Sequence, residues 1–138
     1  MFIDTSALPA IFFGEPDAGD YETAIDGDPN RLISAASVLE TSIVVESHFG
    51  DAGGRELDLL LHRVPIEVVG VTAEQVEVGR HAFRTYGKGR HPAAMNFGDC
   101  FSYALSRVSG EPLLIKGADF AKTDVKIALQ QRRDRTQG

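Results

Sequence analysis

Four acidic residues stand beside apolar segments that could contribute to a protein core: Asp4, Glu40, Asp99 and Asp119. A lone carboxylate is costly to remove from water, and several gathered together without a cation are costlier still. A hard divalent ion with oxygen ligands, Mg²⁺ or Mn²⁺, resolves that conflict. Too few His or Cys residues accompany the acids to indicate zinc. The acids therefore predict a metal site.

The elements that must position these acids alternate between strands and helices. Apolar runs predict strands at residues 2–3, 32–33, 64–71 and 113–115, with a weaker fifth strand at 123–128. Helical spacing of apolar residues predicts helices after residue 6 and at residues 18–25, 34–49, 51–62, 73–86 and 99–109. This order predicts an α/β fold with a parallel sheet covered on both faces.

The predicted elements bring the acids to one edge of that sheet. Asp4 and Asp119 follow strands, Asp99 opens a helix and Glu40 lies on one. Ligands of open α/β sheets bind at the carboxyl ends of the strands. All four acids could therefore converge there.

Each acid also has a plain structural interpretation. Asp99 could cap its helix or favour the helix dipole, and Asp4 could be a turn or cap residue. Glu40 has the apolar neighbours Ala36, Ile43 and Val44 one helical turn away, which disfavours a solvated face.

Polar residues beside the acids leave similar alternatives open. Thr5 or Ser6 could hydrogen-bond a ligand carboxylate or a phosphate oxygen, or could cap the first helix. Asn96 could orient Asp99 or only stabilise its own loop. Cys100 has no clear Cys/His arrangement around it, so we expect a small core residue without chemistry.

Composition limits the class of protein. The chain has 138 residues and a formal net charge of -6, which fits one domain, predicted at residues 1–129 with a polar tail at 130–138. Its single cysteine excludes an intramolecular disulfide. It has no apolar run near the ~20 residues of a membrane span and no recognisable targeting segment after Met1, so we expect a cytoplasmic protein without a membrane partner.

The acidic balance argues against binding nucleic acid by charge alone. Basic residues nevertheless gather in one stretch and could form a track for an RNA backbone: Arg80, Arg84, Lys88 and Arg90. A solvated helix face accounts for the first two about as well. Lys116 is expected nearer the acids, where it could contact substrate.

Four segments carry a resemblance to a known family. They are Met1-Phe2-Ile3-Asp4-Thr5-Ser6-Ala7-Leu8, Ser37-Val38-Leu39-Glu40, Asn96-Phe97-Gly98-Asp99-Cys100 and Leu113-Leu114-Ile115-Lys116-Gly117-Ala118-Asp119-Phe120. In order and spacing the chain resembles a PIN-domain ribonuclease, and most closely a VapC-type toxin of a toxin–antitoxin pair.

The resemblance implies a PIN-like α/β/α sandwich with a central, mainly parallel sheet of four to five strands. It implies that Asp4, Glu40 and Asp99 form a catalytic pocket for Mg²⁺, or Mn²⁺, that hydrolyses RNA phosphodiester bonds. Asp119 lies two residues after the position that many members use for a fourth acid, so it is a substitute ligand or a support for its loop.

The resemblance also implies partners. A cognate VapB-type antitoxin would cover the enzyme and insert a basic side chain near the acids, and the enzyme would form a homodimer. Apolar side chains of the first helix could serve either interface or the core: Leu8, Ile11, Phe12 and Phe13.

Two other functions remain open at this point. One is a catalytically silent PIN-like domain that binds RNA or protein. The other is a receiver-like signalling domain, which also gathers acids and Mg²⁺ at a sheet edge. The order of the acids disfavours the receiver because no phospho-acceptor follows the third strand in Val68-Val69-Gly70-Val71-Thr72.

Overall fold

A computed structural model describes residues 1–117 and 119–129, the side chain of Asp119 excepted. The predicted tail at 130–138 lies outside the described residues. Four strands form one parallel sheet: β1 (Phe2–Ile3), β2 (Leu32–Ser34), β3 (Glu67–Val69) and β4 (Leu113–Leu114). Their order in the sheet is β3-β2-β1-β4. This confirms the predicted α/β fold.

Within the described residues, six α-helices connect and cover the strands: α1 (Ala7–Phe12), α2 (Ala18–Gly27), α3 (Ala35–Phe49), α4 (Asp51–Arg63), α5 (Ala73–Tyr86) and α6 (Phe97–Ser109). A short 3-10 helix follows at Asp119–Lys122. Ser34 and Thr72 cap α3 and α5 by accepting bonds from Ala36 N and Gln75 N. None of the helices formed by the described residues has the length and apolar character that a bilayer crossing requires.

Alternating side chains of the strands divide the core into two clusters. Ile3, Ile33 and Leu114 belong to one cluster, together with residues of α1, α2 and α4. Phe2 and Leu113 belong to the other, together with residues of α5 and α6. Because successive strand residues point to opposite faces, β1, β2 and β4 each supply both layers. This arrangement explains why segments of two or three residues hold a sheet together.

Several predicted boundaries are wrong. The run at 64–71 forms only the edge strand Glu67–Val69, and the predicted fifth strand is reduced to an isolated bridge between Leu113 and Ile127. A strand needs a partner as well as β-branched residues, and β3 pairs only with the three residues of β2. The predicted strand at 113–115 ends at Leu114.

The four apolar residues named for the interface or the core divide between buried and exposed positions. Leu8 is fully buried, and Ile11 and Phe12 pack against the core from partly buried positions. Phe13 alone of the four named residues is exposed, and its ring stacks on Phe49 with centroids 5.4 Å apart. Of the two alternatives left open by the sequence, Leu8 therefore takes the core.

The core position of Leu114 gives a test of this packing. We expect Leu114→Ala to lower the free energy of unfolding by about 2–5 kcal/mol, because the cavity it leaves lies between two packed layers. Leu59→Ala is the matched control, since Leu59 on α4 is 49% exposed and its truncation should cost at most about 0.5 kcal/mol. Urea unfolding at fixed protein concentration measures both, and equal losses would contradict the assigned core.

Candidate active site

Asp4 is a buried carboxylate at the carboxyl end of the central strand β1. Only 4% of the residue is exposed, and its backbone N–H donates to the Leu114 carbonyl at 2.9 Å. Its Oδ2 accepts from the Ser6 backbone N–H at 2.9 Å, and its Oδ1 accepts from the Ser102 hydroxyl of α6. Each oxygen has a second lone pair, so both can still coordinate an ion.

Asp99 lies in the first turn of α6, two residues after the helix begins, and does not open it as we predicted. Its backbone N–H donates to Asn96 Oδ1 at 2.9 Å, and its Oδ2 accepts from the Asn96 backbone N–H at 3.0 Å. This reciprocal pair is a capping box, which fixes both the helix start and the direction of the carboxylate. Asn96 thus orients Asp99 and ends its loop at the same time.

Asp4 and Asp99 line one shallow cavity of about 90 Å³. Ser6, Lys116 and Phe120 complete its wall together with Ile115 and Gly117. Two residues separated by most of the chain are brought together because β1 ends where α6 begins. The predicted convergence of these two acids is therefore present in the fold.

Glu40 lies on an exposed face of α3, although its apolar neighbours in the sequence disfavoured a solvated position. The neighbouring Leu39 and Ile43 are themselves 64% and 57% exposed, so apolar spacing did not indicate burial here. The Glu40 carboxylate nevertheless lies against the Cα of Gly98 in the first turn of α6, one residue before Asp99. It is a neighbour of the cavity but not part of its wall.

The acids in the cavity wall supply part of the oxygen ligands that a hard cation requires. Within residues 1–117 and 119–129, no group of three His, Cys, Asp or Glu side chains is already arranged as a metal site. The side chain of Asp119, the fourth predicted acid, lies outside the described residues. Magnesium is commonly held by one or two carboxylates and several waters. The pair Asp4 and Asp99, with an open cavity between them, fits that requirement.

Ser6 and Thr5 have separate roles. The Ser6 hydroxyl accepts from the Lys116 backbone N–H at 2.9 Å and makes no cap bond to α1, so it ties β1 to the segment after β4. The Thr5 hydroxyl donates to the Ser37 carbonyl at 3.4 Å. Neither side chain caps α1. It is the backbone N–H of Ser6, and not the hydroxyl of Thr5 or Ser6, that donates to Asp4.

Lys116 lies in the cavity wall but its ammonium group is already paired. It contacts the Glu15 carboxylate and lies 3.5 Å from Asp17 Oδ1, both in the α1–α2 connection. Tyr21 is linked to the same group: burial, then the charge and hydrogen bond of Asp17, raise its pKa to about 12. The lysine therefore joins two loops beside the acids.

The predicted RNA track lies on the surface. Arg80 pairs with Glu77 at 2.9 Å on α5, in line with a solvated helix face. Arg84, Lys88 and Arg90 are also exposed, and no ion pair is recorded for them among the described side chains. These residues are absent from the wall of the acidic cavity, and their exposed side chains are accessible to a substrate.

Cys100 follows Asp99 without joining its chemistry. Burial, and then the negative charge of Asp99, raise the pKa of the thiol, so it stays protonated at neutral pH. Its Sγ lies 3.3 Å from the Asn96 carbonyl. We expected a small core residue; Cys100 is instead half-buried, packed against the edge of one core cluster and lining the groove between α5 and α6.

Sequence reasoning missed two residues beside the acids, Ser102 and Gly98. Ser102 stands three residues after Asp99, so a helix would place both on one face, and that spacing could have identified it. Gly98 carries no such signal, because its importance depends on a side chain from another helix.

The chain matches known proteins over nearly its whole length. The PIN domain family model matches residues 1–126. Ribonuclease VapC30 of Mycobacterium tuberculosis is 57% identical over 125 residues, covering 91% of this chain and 95% of that protein. Ribonuclease VapC of Mycolicibacterium smegmatis is 60% identical, covering 91% and 97%.

A solved structure shows the same fold at low identity. The crystal structure of Mycobacterium tuberculosis VapC20, described as a Sarcin-Ricin loop cleaving toxin, matches with a TM-score of 0.75 at 19% identity. The match covers 94% of this chain and 98% of the VapC20 chain. Fold and sequence together define a PIN domain with an acidic cavity at the carboxyl edge of its sheet.

Within that class, the chain belongs to the VapC ribonucleases, the toxins of toxin–antitoxin systems. The predicted resemblance is confirmed. The receiver-like alternative is wrong, and the silent-domain alternative is not supported, because the relatives reported above are ribonucleases.

The Ser102–Asp4 bond can be tested by stability. We expect Ser102→Ala to lower the free energy of unfolding by about 1–3 kcal/mol, because a buried carboxylate oxygen loses its side-chain donor. Ser47→Ala is the control, since Ser47 is exposed on α3 and donates only to a carbonyl of its own helix. Chemical denaturation measures both; a Ser102→Ala protein as stable as wild type would contradict the bond.

Proposed function

We propose that this VapC ribonuclease hydrolyses RNA phosphodiester bonds with a divalent cation, Mg²⁺ or Mn²⁺, held by Asp4 and Asp99. The single observation that carries the proposal is that these two acidic residues, far apart in the sequence, line one cavity. Glu40 would be the third ligand, and Asp119 a fourth ligand or a support for its loop. When bound, such an ion would lower the pKa of a coordinated water, so that its deprotonated form is available as the nucleophile, and would place positive charge facing the scissile phosphate.

The protein's own residues prepare this site. Ser102 and the Ser6 backbone each donate a hydrogen bond to the Asp4 side chain, and the Asn96 capping box directs Asp99. Asp4 is buried, so its position is set before any ligand arrives. Such outer partners fix ligand geometry in metal sites generally.

RNA would be positioned mainly through its phosphates. The exposed cations Lys88 and Arg90 are the first candidates. Arg84 and Arg80 are weaker ones, because both line the apolar groove between α5 and α6 and Glu77 already pairs with Arg80. Lys116 would contact substrate only by leaving Glu15 and Asp17. The enzyme would act on cellular RNA in the cytoplasm. The shape of an RNA would determine whether the enzyme cleaves it.

Removing either central acid should abolish cleavage. We expect Asp4→Asn and Asp99→Asn each to lower the rate of Mg²⁺-dependent RNA cleavage by more than the roughly 10–100-fold typical for loss of an outer partner, because a ligand itself is lost. Asp58→Asn, an exposed acid on α4, is the control. The assay uses purified protein and structured RNAs, with and without EDTA.

Cleavage that survives EDTA or both substitutions would rule out this mechanism. A wild-type protein that cleaves none of many RNAs, yet binds them, would favour the silent domain. Growth arrest on expression that depends on Asp4 and Asp99 would support the role as a toxin in cells.

A VapB-type antitoxin would neutralise the enzyme. The acidic cavity supports this proposal, because a basic side chain inserted there would pair with Asp4 and Asp99 and exclude the cation. The exposed aromatic cluster of Phe13, His48 and Phe49 offers an apolar contact on the same molecule. Co-expression with the product of a neighbouring small reading frame should restore growth.

A homodimer would use a face of the protein other than the acidic cavity that the antitoxin would cover. An apolar groove of about 570 Å³ lies between α5 and α6, with Val76, Phe83, Phe97 and Phe101 in its wall. Phe97 is 78% exposed, an unusual cost for a large aromatic side chain unless a partner covers it. A second copy offers the same groove in return, as two-fold interfaces require.

The groove predicts how the oligomeric state can be changed. We expect Phe97→Ser to shift the protein towards the monomer, raising the dimer dissociation constant at least ~10-fold, because an aromatic anchor near an interface centre contributes about 2 kcal/mol or more. Val108→Ser, at the other end of α6 and 42% exposed, should leave it unchanged. Sedimentation velocity over a concentration series measures both, and a wild-type monomer at all concentrations would exclude the dimer.

A further inference from the structure

The contact between Glu40 and Gly98 has an unusual geometry. A Cβ atom built on Gly98 would lie 2.8 Å from Glu40 Oε1 and closer still to Oε2, and its three nearest neighbours all belong to that carboxyl group. The carboxylate of α3 therefore occupies the space that any other residue at position 98 would fill. We infer that Gly98 is a positioning residue, whose missing side chain lets the Glu40 carboxylate lie against the first turn of α6, at the residue before Asp99; this inference rests on the proposed metal site.

The backbone gives no other reason for glycine at this position. The glycines with left-handed φ are Gly14, Gly50, Gly89, Gly110 and Gly117, and Gly98 is not among them. It lies in the first turn of α6, where glycine costs about 0.5–1 kcal/mol relative to alanine in a regular helix. Glycine here lowers local stability, and what it provides is room for a carboxylate.

The position of that carboxylate matters because Gly98 directly precedes Asp99. The Asp99 carboxylate lines the cavity together with that of Asp4. A third anionic oxygen donor at this corner complements a divalent ion held by the other two. A methyl group at position 98 would displace the exposed Glu40 side chain. Its carboxylate would then be hydrated by solvent, with almost no loss in the free energy of unfolding.

A second glycine supplies a matched control. A Cβ on Gly54 of α4 would likewise overlap a carboxylate, that of Glu46, which lies on the same helix α3 as Glu40. Gly54 and Glu46 are absent from the wall of the acidic cavity. If the close packing of glycine against glutamate affects only the packing of α3, alanine should have the same effect on Mn²⁺ binding at both positions.

The experiment compares Gly98→Ala, Glu40→Gln, their combination and Gly54→Ala in the full chain. Mn²⁺ alone is the probe, and its binding is followed by the electron paramagnetic resonance of the free ion, beside thermal unfolding and RNA cleavage. We expect Gly98→Ala to weaken Mn²⁺ binding about 10–100-fold, as Glu40→Gln does, with an unfolding midpoint equal to or above that of wild type. Gly54→Ala should bind Mn²⁺ as wild type does.

The double variant decides whether the two residues act as one. We expect Gly98→Ala with Glu40→Gln to bind Mn²⁺ no more weakly than either single variant, because both remove the same ligand. Additive losses, or a Gly98→Ala protein with wild-type affinity, would overturn the inference while leaving the nuclease proposal intact. Wild-type protein that binds Mn²⁺ but cleaves no RNA would sink the nuclease proposal alone, and wild-type protein that binds no Mn²⁺ would overturn both.

Discussion

The burial of Asp4 is the constraint on which the rest of this structure depends. Leaving a carboxylate in a nearly dry position costs several kcal/mol unless donors surround it. Here the donors come from a turn and from α6, while the backbone N–H of the same residue continues the pairing with β4. A two-residue strand, a loop and a distant helix must therefore meet at one point. That meeting also brings Asp99 into the cavity, because Ser102 and Asp99 lie one turn apart on α6.

The charges near the cavity explain how an acidic protein can act on RNA. Lys116 is the cation in the cavity wall, and Glu15 and Asp17 already hold its ammonium group. Its charge is thus largely cancelled before a substrate arrives. In the proposed function, positive charge opposite a scissile phosphate would come mainly from a bound ion, and phosphates farther away would be met by the exposed cations Lys88 and Arg90 in the turn after α5. The net charge of -6 is compatible with this division.

The sequence sufficed for the order of the described strands and helices and for the meeting of Asp4 and Asp99, because both depend on local signals: an apolar strand ending in an acid, and an acid near the start of a helix. It failed where the answer depended on a partner. The apolar run at 64–71 pairs over only three residues, and Glu40 is exposed despite apolar neighbours because nothing in the described chain covers Leu39 and Ile43. The pairing of Lys116 with Glu15 spans about a hundred positions and leaves no local pattern.

The three described acids hold their carboxylates by different means, and this difference has a consequence for an ion bound among them. Asp4 is fixed by burial and Asp99 by its capping box, so neither loses much freedom when a cation arrives. Glu40 is exposed and is restrained mainly by its contact with Gly98. In the proposed site its side chain would have to be ordered at each binding event, which would weaken the ion's binding compared with a fully rigid set of ligands. Two fixed carboxylates and one adaptable carboxylate would leave room for water and for substrate oxygens, which is the coordination that magnesium favours.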